Sequence, residues 1–166
     1  MKKLWIGLLI SMLAIPLVMA TPIFNKASLN IPITQKDSVT WEPIIDGAKG
    51  NVLLSYRYKK INNEMVAVGK AKAIVKHAEP YTDYTLIYYG NEEFNDVYPY
   101  ATCLTTKKTN KRGNMRTKTV EFNYFPFIDD IAQQKFWVVK SSDLDCEEGK
   151  FLEWNPEDYL FERNII

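Results

Sequence analysis

The chain has a single histidine, His77, and only two cysteines, Cys103 and Cys146, in 166 residues. A structural zinc site needs four nitrogen or sulfur ligands, and a Ser-His-acid triad would depend on that one histidine. The seven glycines form no phosphate-binding loop, and no serine lies in a G-x-S-x-G context. These absences argue against structural zinc, nucleotide chemistry and triad hydrolysis, so the sequence indicates no class of enzyme.

An excess of charge of one sign is also missing. The chain has 21 Lys and Arg against 20 Asp and Glu, a formal net charge of +1. Nucleic-acid binding domains are usually strongly basic, so no nucleic-acid partner is predicted. The composition is 46% hydrophobic and 13% aromatic, which predicts a packed globular domain.

The N-terminal segment has the pattern of a secretion signal. Lys2 and Lys3 precede an apolar run over residues 4–17, and Val18-Met19-Ala20 fits the small-x-small cleavage rule. The competing interpretation is a membrane anchor, but about 15 apolar residues fall short of the roughly 20 that cross a bilayer. We therefore expect residues 1–20 to be removed and the protein to be secreted or held in the cell envelope, with no membrane span after cleavage.

Both cysteines lie in the exported part, where disulfides form and persist. One intramolecular Cys103–Cys146 bridge is the simplest expectation. The alternative, a redox pair or a nucleophile, lacks a C-x-x-C spacing and a nearby histidine.

Hydrophobic alternation predicts an all-β fold. Val52, Leu54, Tyr56 and Tyr58 share one face, and further short strands with turn signals follow to the end of the chain. We expect an antiparallel β-sandwich over residues 51–166, with a small β-barrel as the second alternative. Residues 21–50, rich in Pro and Gly, are expected to form an extended arm or an edge strand.

Four motifs resemble a group of secreted proteins of archaea and some bacteria for which no activity is assigned. They are Tyr84-Thr-Leu-Ile-Tyr-Tyr-Gly90, Thr102-Cys103, Ser142-Asp-Leu-Asp-Cys146 and Trp154-Asn-Pro-Glu-Asp-Tyr-Leu-Phe161. The resemblance implies export, a Cys103–Cys146 pair and a β fold, and it supplies no functional residues. Residues 79–86 also resemble the proline-turn-tyrosine run of fibronectin type III and immunoglobulin-like sandwiches, which implies that the Tyr84 hydroxyl bonds to nearby backbone.

Charge is distributed unevenly along the chain. Residues 107–118 carry six Lys or Arg and no acid, whereas residues 143–162 carry eight Asp or Glu and one Lys. We expect a basic hairpin loop over 106–116, with binding candidates Lys107, Lys108, Lys111 and Arg112. Its functional interpretation is attraction of an anionic envelope polymer or head-to-tail self-association, and the alternative is a solvated loop.

Two further groups are candidate sites. Asp143, Asp145 and Glu147 occupy alternate positions, so in a strand their side chains would share one face. Three carboxylates on one face could bind Ca²⁺, the one cofactor that the sequence suggests. A solvated acidic face is the simpler interpretation. Tyr88, Tyr89, Tyr98 and Tyr100 flank an acidic loop at 90–96 and could form a binding surface, with Tyr98 and Tyr100 as its binding candidates, the alternative being core aromatics.

The leading hypothesis is an exported, non-enzymatic interaction module with an unidentified envelope or extracellular partner, a protein or a polymer. The second is a small ligand-binding or Ca²⁺-binding secreted protein. The third is a small hydrolase that uses two carboxylates, since glycoside hydrolysis needs no other residue type.

Overall fold

A computed structural model describes residues 27–61, 63–89, 101–123 and 135–162. The signal segment, Tyr98, Tyr100, the loop at 90–96 and the segment 125–134 lie outside these residues. The described strands are β1 (Ala27–Gln35), β2 (Lys49–Ile61), β3 (Glu64–Lys76), β4 (Asp83–Tyr89), β5 (Ala101–Lys108), β6 (Met115–Arg116), β7 (Val120–Asn123), β8 (Lys135–Lys140), β9 (Leu144–Asp145), β10 (Lys150–Phe151) and β11 (Leu160–Glu162). No helix in these ranges is long and apolar enough to cross a membrane.

Nine strands form one antiparallel sheet, and this sheet curls until it is nearly a barrel. The strand order is β5-β4-β8-β11-β1-β2-β3-β6, with β7 also paired to β3. The two ends of this order approach each other, since β5 lies beside β6 and β7. The all-β prediction is therefore confirmed. The sandwich is not confirmed, because the long strands belong to one curled sheet, and the arrangement is closer to the small barrel that was the second alternative.

Strand β1 lies in the segment expected to form an arm or an edge strand. It pairs with β2 from Ala27 to Thr34 and with β11 at Ile33, Thr34 and Gln35, so among the described residues it has a strand on both sides only near its end. The proline that suggested an edge is Pro32, which lies one residue beyond the end of the pairing with β11. Its missing N–H therefore costs no hydrogen bond to that neighbour.

The barrel interior contains the larger core. Alternate residues of the strands point inward, as the periodicity of β2 predicts, and Val52 and Leu54 are 0% and 2% exposed. Aromatic rings fill the middle, where Tyr88, Phe122 and Phe136 lie 5.2 to 5.9 Å apart between ring centroids. Burial of these side chains supplies the main stabilisation of the fold.

A second, smaller core lies outside the barrel. It is formed by outward-facing residues of β4, β8 and β11, among them Ile87, Val139 and Phe161, all at most 2% exposed. Residues 141–159, which we call the strap, cover them with Leu144, Phe151 and Tyr159. The strap consists of a 3-10 turn at Ser141–Asp143, the β9–β10 hairpin and a 3-10 turn at Pro156–Asp158.

The predicted disulfide is confirmed, and it ties this strap to the barrel. Cys103 of β5 is bonded to Cys146 in the turn after β9, with Cα atoms 5.6 Å apart. The hydroxyl of Tyr84 accepts a hydrogen bond from the N–H of Glu79 at 3.4 Å, the kind of contact that the fibronectin-like run implies. Here the contact occurs in a sheet that is nearly a barrel.

Candidate functional site

A band of cations covers the outer face of β2, β3 and β6. The hairpin register pairs Lys49 with Lys76 and Leu53 with Lys72, and β6 places Arg116 beside Ile74. Because side chains alternate between the two faces of a strand, the residues between the buried ones point outward together. We call this set the basic wall: Lys49, Arg57, Lys59, Lys70, Lys72, Lys76 and Arg116.

Only one acid among the described residues neutralises part of the basic wall. Glu121 of β7 pairs with Lys59 at 3.1 Å and with Lys70 at 3.3 Å. Hydrogen bonds from these two lysines lower the pKa of Glu121. The other five cations of the wall have no hydrogen bond or ion pair with any residue that the structure describes, so their charge is available to a partner.

The basic loop expected over residues 106–116 is shorter than predicted, and it lies next to the basic wall. Strand β5 continues through Lys107 and Lys108, and Lys108 pairs with Asp83 at 3.4 Å. Lys111 and Arg112 lie exposed in the turn that follows, which Asn110 closes by accepting the N–H groups of Arg112 and Asn114.

This turn lies beside the end of β3. The N–H of Ala78 donates to the carbonyl of Gly113 at 3.0 Å, and the N–H of His77 donates to Oδ1 of Asn114 at 3.3 Å. The cations of the turn therefore extend the basic wall past Lys76, and His77, the single histidine, is exposed between them.

The expected acidic face at 143–147 does not form. Strand β9 contains only Leu144 and Asp145, and Oδ1 of Asp145 accepts the N–H groups of Glu147 and Glu148, which turns the chain. Asp143 lies in the preceding 3-10 turn and is 5% exposed, whereas Glu147 is exposed. Nowhere in the described ranges do three His, Cys, Asp or Glu side chains group so that they could hold a metal ion.

Asp143 instead fixes the strap. Its Oδ2 accepts hydrogen bonds from the Tyr159 hydroxyl at 2.8 Å and from Nδ2 of Asn155 at 3.3 Å, and its Oδ1 accepts one from Ser142 at 2.6 Å. Burial alone would raise the pKa of Asp143, but these hydrogen bonds outweigh it and hold the pKa below its ordinary value. Asn155 precedes the 3-10 turn at Pro156–Asp158, and its side-chain amide bonds to Asp143 rather than capping that turn.

Lys140, at the end of β8, is a second anchor of the strap. Its Nζ lies 2.8 Å from Glu79 and 2.7 Å from Asp158. Partial burial alone would lower the pKa of Lys140, but hydrogen bonds to these two carboxylates raise it well above its usual range. The ammonium therefore links β8, the β3–β4 connection and the last turn of the strap.

Several acidic side chains of residues 143–162 thus make hydrogen bonds or ion pairs within the molecule. Asp143 and Asp158 hold the strap, Glu157 accepts a hydrogen bond from Ser38, and Glu162 accepts the N–H of Phe136 at 2.7 Å. The two charged sequences differ in this respect. Five of the seven cations of the wall have no partner among the described residues, whereas five of the eight acids, Asp145 being the fifth, accept hydrogen bonds or form an ion pair within the molecule.

An ordered loop over residues 36–48 stands next to one end of the basic wall. Gln35 bonds twice to Ala48: its N–H donates to the Ala48 carbonyl, and its Oε1 accepts the Ala48 N–H. The carbonyl of Gln35 also accepts the N–H of Ile44. Asp37 caps the turn by accepting the N–H groups of Val39 and Thr40. Between this loop and the sheet lies a groove of about 670 Å³, whose lining includes Ile44 and Ile45 of the loop and Lys49 and Lys76 of the sheet.

Exposed aromatic rings are found on the strap side rather than where the sequence analysis sought them. Trp41 and Trp154 are both 47% exposed, and their ring centroids lie 5.3 and 6.2 Å from that of Phe161. Tyr98 and Tyr100 lie outside the described residues, so that candidate surface stays a prediction.

Sequence reasoning missed most of the basic wall. It recognised that Val52, Leu54, Tyr56 and Tyr58 share one face of β2, but not that β3 would bring Lys70, Lys72 and Lys76 together on the opposite face of the hairpin. The signal was present in the lysines spaced two or four residues apart along β3 and in the Asn62-Asn63 pair, which is typical of a tight hairpin.

Comparisons with known proteins identify no relative. No family model matches the chain, and no curated protein or solved structure does so. Function must therefore be inferred from the surfaces themselves.

Proposed function

We propose that the protein is an exported, non-enzymatic binding module whose basic wall contacts an anionic polymer or an acidic partner in the cell envelope or outside the cell. The observation that carries the proposal is the set of five cations, Lys49, Arg57, Lys72, Lys76 and Arg116, that no described acid neutralises. A surface with one sign of charge attracts a partner of opposite sign and accelerates its association.

The charge separation is larger than the net charge suggests. Residues 49–76 and 107–123 together carry thirteen Lys or Arg against two acids, Glu64 and Glu121. The strands in these ranges are neighbours in the sheet, so one side of the barrel is basic even though the whole chain is nearly neutral. A neutral average therefore does not argue against a polyanionic partner.

Export and a binding role have separate support. The Cys103–Cys146 disulfide is a feature of proteins that leave the reducing cytosol. Lys140 and Tyr159, whose pKa values are raised well above their usual range, and Asp143, whose pKa is lowered, are held in contacts within the strap and its base, where they stabilise the fold.

The test is retention of the purified, disulfide-bonded protein on immobilised heparin and on immobilised polyglutamate as a function of salt. We expect retention on at least one of them at low salt and release as salt rises, because screening weakens exposed charge pairs. The variant Lys72→Gln with Arg116→Gln should elute at lower salt.

The matched control is Lys36→Gln with Lys150→Gln, which removes the same charge outside the wall and should elute like the wild type. Equal elution of the two variants would refute a role for the wall. Sedimentation velocity of the protein alone tests the remaining alternative, since growth in mass at low salt would indicate self-association instead.

A further inference from the structure

The groove beside the basic wall has the features of a site for a small amphipathic molecule. It lies between the ordered loop 36–48 and the outer surface of β1, β2 and β3, and its volume is about 670 Å³. Pro43, Ile44 and Ile45 of the loop supply an apolar part of its lining, which we call the apolar side. Lys49 and Lys76 of the sheet supply a cationic part, which we call the cationic side.

The apolar side is held open rather than collapsed. Ile45 is 90% exposed and Ile44 is 38% exposed, although the loop that carries them is fixed by several hydrogen bonds. The N–H of Gly47 donates to the carbonyl of Ile44 at 3.1 Å, and the N–H of Ile44 donates to the carbonyl of Gln35 at 3.0 Å. An ordered backbone that presents exposed isoleucine reduces the entropy lost when an apolar ligand binds.

Gly50 lies in the lining of the groove, between the outward-facing Lys49 and Asn51. A Cβ atom at Gly50 would lie 2.2 Å from the carbonyl oxygen of Ile74. Glycine is therefore the residue that lets β2 pass this close to β3.

The cationic side places two like charges next to each other. Lys49 and Lys76 are directly opposite in the β2–β3 register, where equal charges repel. Neither has an ion pair or a hydrogen bond with a residue that the structure describes. Asn51 lies in the next outward row and offers an amide to the same end of the groove. An anion between the two ammonium groups would relieve their repulsion.

We propose that this groove binds a single-chain aliphatic carboxylate, with the chain against Ile44, Ile45 and Ile74 and the carboxylate between Lys49 and Lys76. Among the residues that the structure describes, the apolar lining consists of isoleucines and prolines and contains no aromatic ring, so stacking of a sugar or a nucleobase has no platform in it. The inference does not depend on polymer binding by the wall, because it requires an apolar chain that a polyanion lacks.

The experiment uses sodium decanoate below its micelle concentration, titrated into the disulfide-bonded protein and followed by calorimetry and by amide NMR shifts. We expect saturable one-to-one binding with the largest shifts at Ile45, Lys49 and Ile74. Acetate, which lacks the chain, and decyltrimethylammonium, which has the opposite charge, should not bind.

Two variants and their matched controls locate the site. Lys49→Met with Lys76→Met, and separately Ile45→Asp, should each weaken decanoate binding by about tenfold or more. Lys60→Met, also an exposed cation of β2, and Val39→Asp, an 85% exposed apolar residue of the same loop, should change it by less than about twofold.

Several results would overturn the proposal. They are the absence of decanoate binding, equally tight binding of the cationic amphiphile, equal losses in the control variants, or co-sedimentation with phosphatidylglycerol vesicles by a protein that ignores soluble decanoate. The last result would assign the apolar loop to a membrane surface. None of these outcomes bears on heparin or polyglutamate retention, so the two proposals fail independently.

Discussion

The hydroxyl of Tyr159 donates a hydrogen bond of 2.8 Å to the carboxylate of Asp143 and accepts one of 3.0 Å from the N–H of Asn155. Tyr159 is fully buried, and its ring packs against Phe151 and Phe161 in the outer core. One side chain therefore joins the start, the end and the apolar underside of the strap.

Tyr159→Phe should destabilise the protein by about 1.5 to 3 kcal/mol at neutral pH, because the ring stays but a buried carboxylate loses a donor. The folded-state pKa of Asp143 is lowered, so its stabilising contribution is present above the ordinary value of 3.8 and is lost as the pH falls through the folded value. Urea unfolding should therefore show a difference from wild type at pH 7 that shrinks below about pH 3.8. Tyr81→Phe, at an exposed tyrosine, is the control and should leave both curves unchanged.

Removal of the disulfide through Cys103→Ala with Cys146→Ala should lower the free energy of unfolding by about 4 kcal/mol. The bond closes a loop of 43 residues, and the unfolded chain gains the corresponding freedom when it is absent. Urea unfolding of the variant and of the reduced wild type should give nearly the same midpoint. Titration of free thiols in the native protein under non-reducing conditions would contradict the pairing.

Strand identities could be predicted because they depend on local patterns. The alternation of Val52, Leu54, Tyr56 and Tyr58 predicts the strand β2, which the structure extends to Lys49–Ile61. Closure of the sheet could not be predicted, because it depends on the pairing of β1 with β11 and on the approach of β5 to β6, between segments remote in sequence. No local signal distinguishes such a barrel from two packed sheets.

The candidate sites show the same limit. Alternation of Asp143, Asp145 and Glu147 would place them together only if a strand continued, and the Asp145 side chain ends it by capping the next turn. The basic wall was missed for the opposite reason, since its lysines are dispersed in sequence and are brought together by the hairpin register.

Gly113→Ala should destabilise the protein by at least about 2 kcal/mol, through backbone strain and a direct clash. Gly113 has a φ of +68°, and a Cβ there would lie 1.8 Å from the carbonyl oxygen of Ala78. The turn would have to move away from the end of β3, which it joins through the Ala78 N–H. Thermal unfolding measures the loss, and Lys111→Ala in the same turn should change the midpoint very little.

Glu162→Gln should make the protein progressively more stable than wild type as the pH rises from about 4 to 7. Glu162 is 8% exposed, and burial raises its pKa above the ordinary 4.5, although the N–H of Phe136 and the charges of Lys135 and Lys36 oppose the shift. A group with a raised folded-state pKa contributes most below its unfolded value, and that contribution is lost as the pH rises through the folded value.

Above its folded-state pKa the wild-type Glu162 carries a buried charge that the glutamine variant lacks, while the Oε1 atom of the glutamine can still accept the Phe136 N–H. Urea unfolding of both proteins at half-unit pH steps measures the difference in free energy of unfolding, and its slope with pH is the diagnostic quantity. If the NH₂ group of the new glutamine lacks an acceptor, the free energy of unfolding of the variant is lower by the same amount at every pH. Such a constant difference does not change the slope with pH. Glu153→Gln, at an exposed glutamate, should give a curve parallel to wild type, and a parallel curve for Glu162→Gln would show that burial does not raise the pKa of this carboxyl.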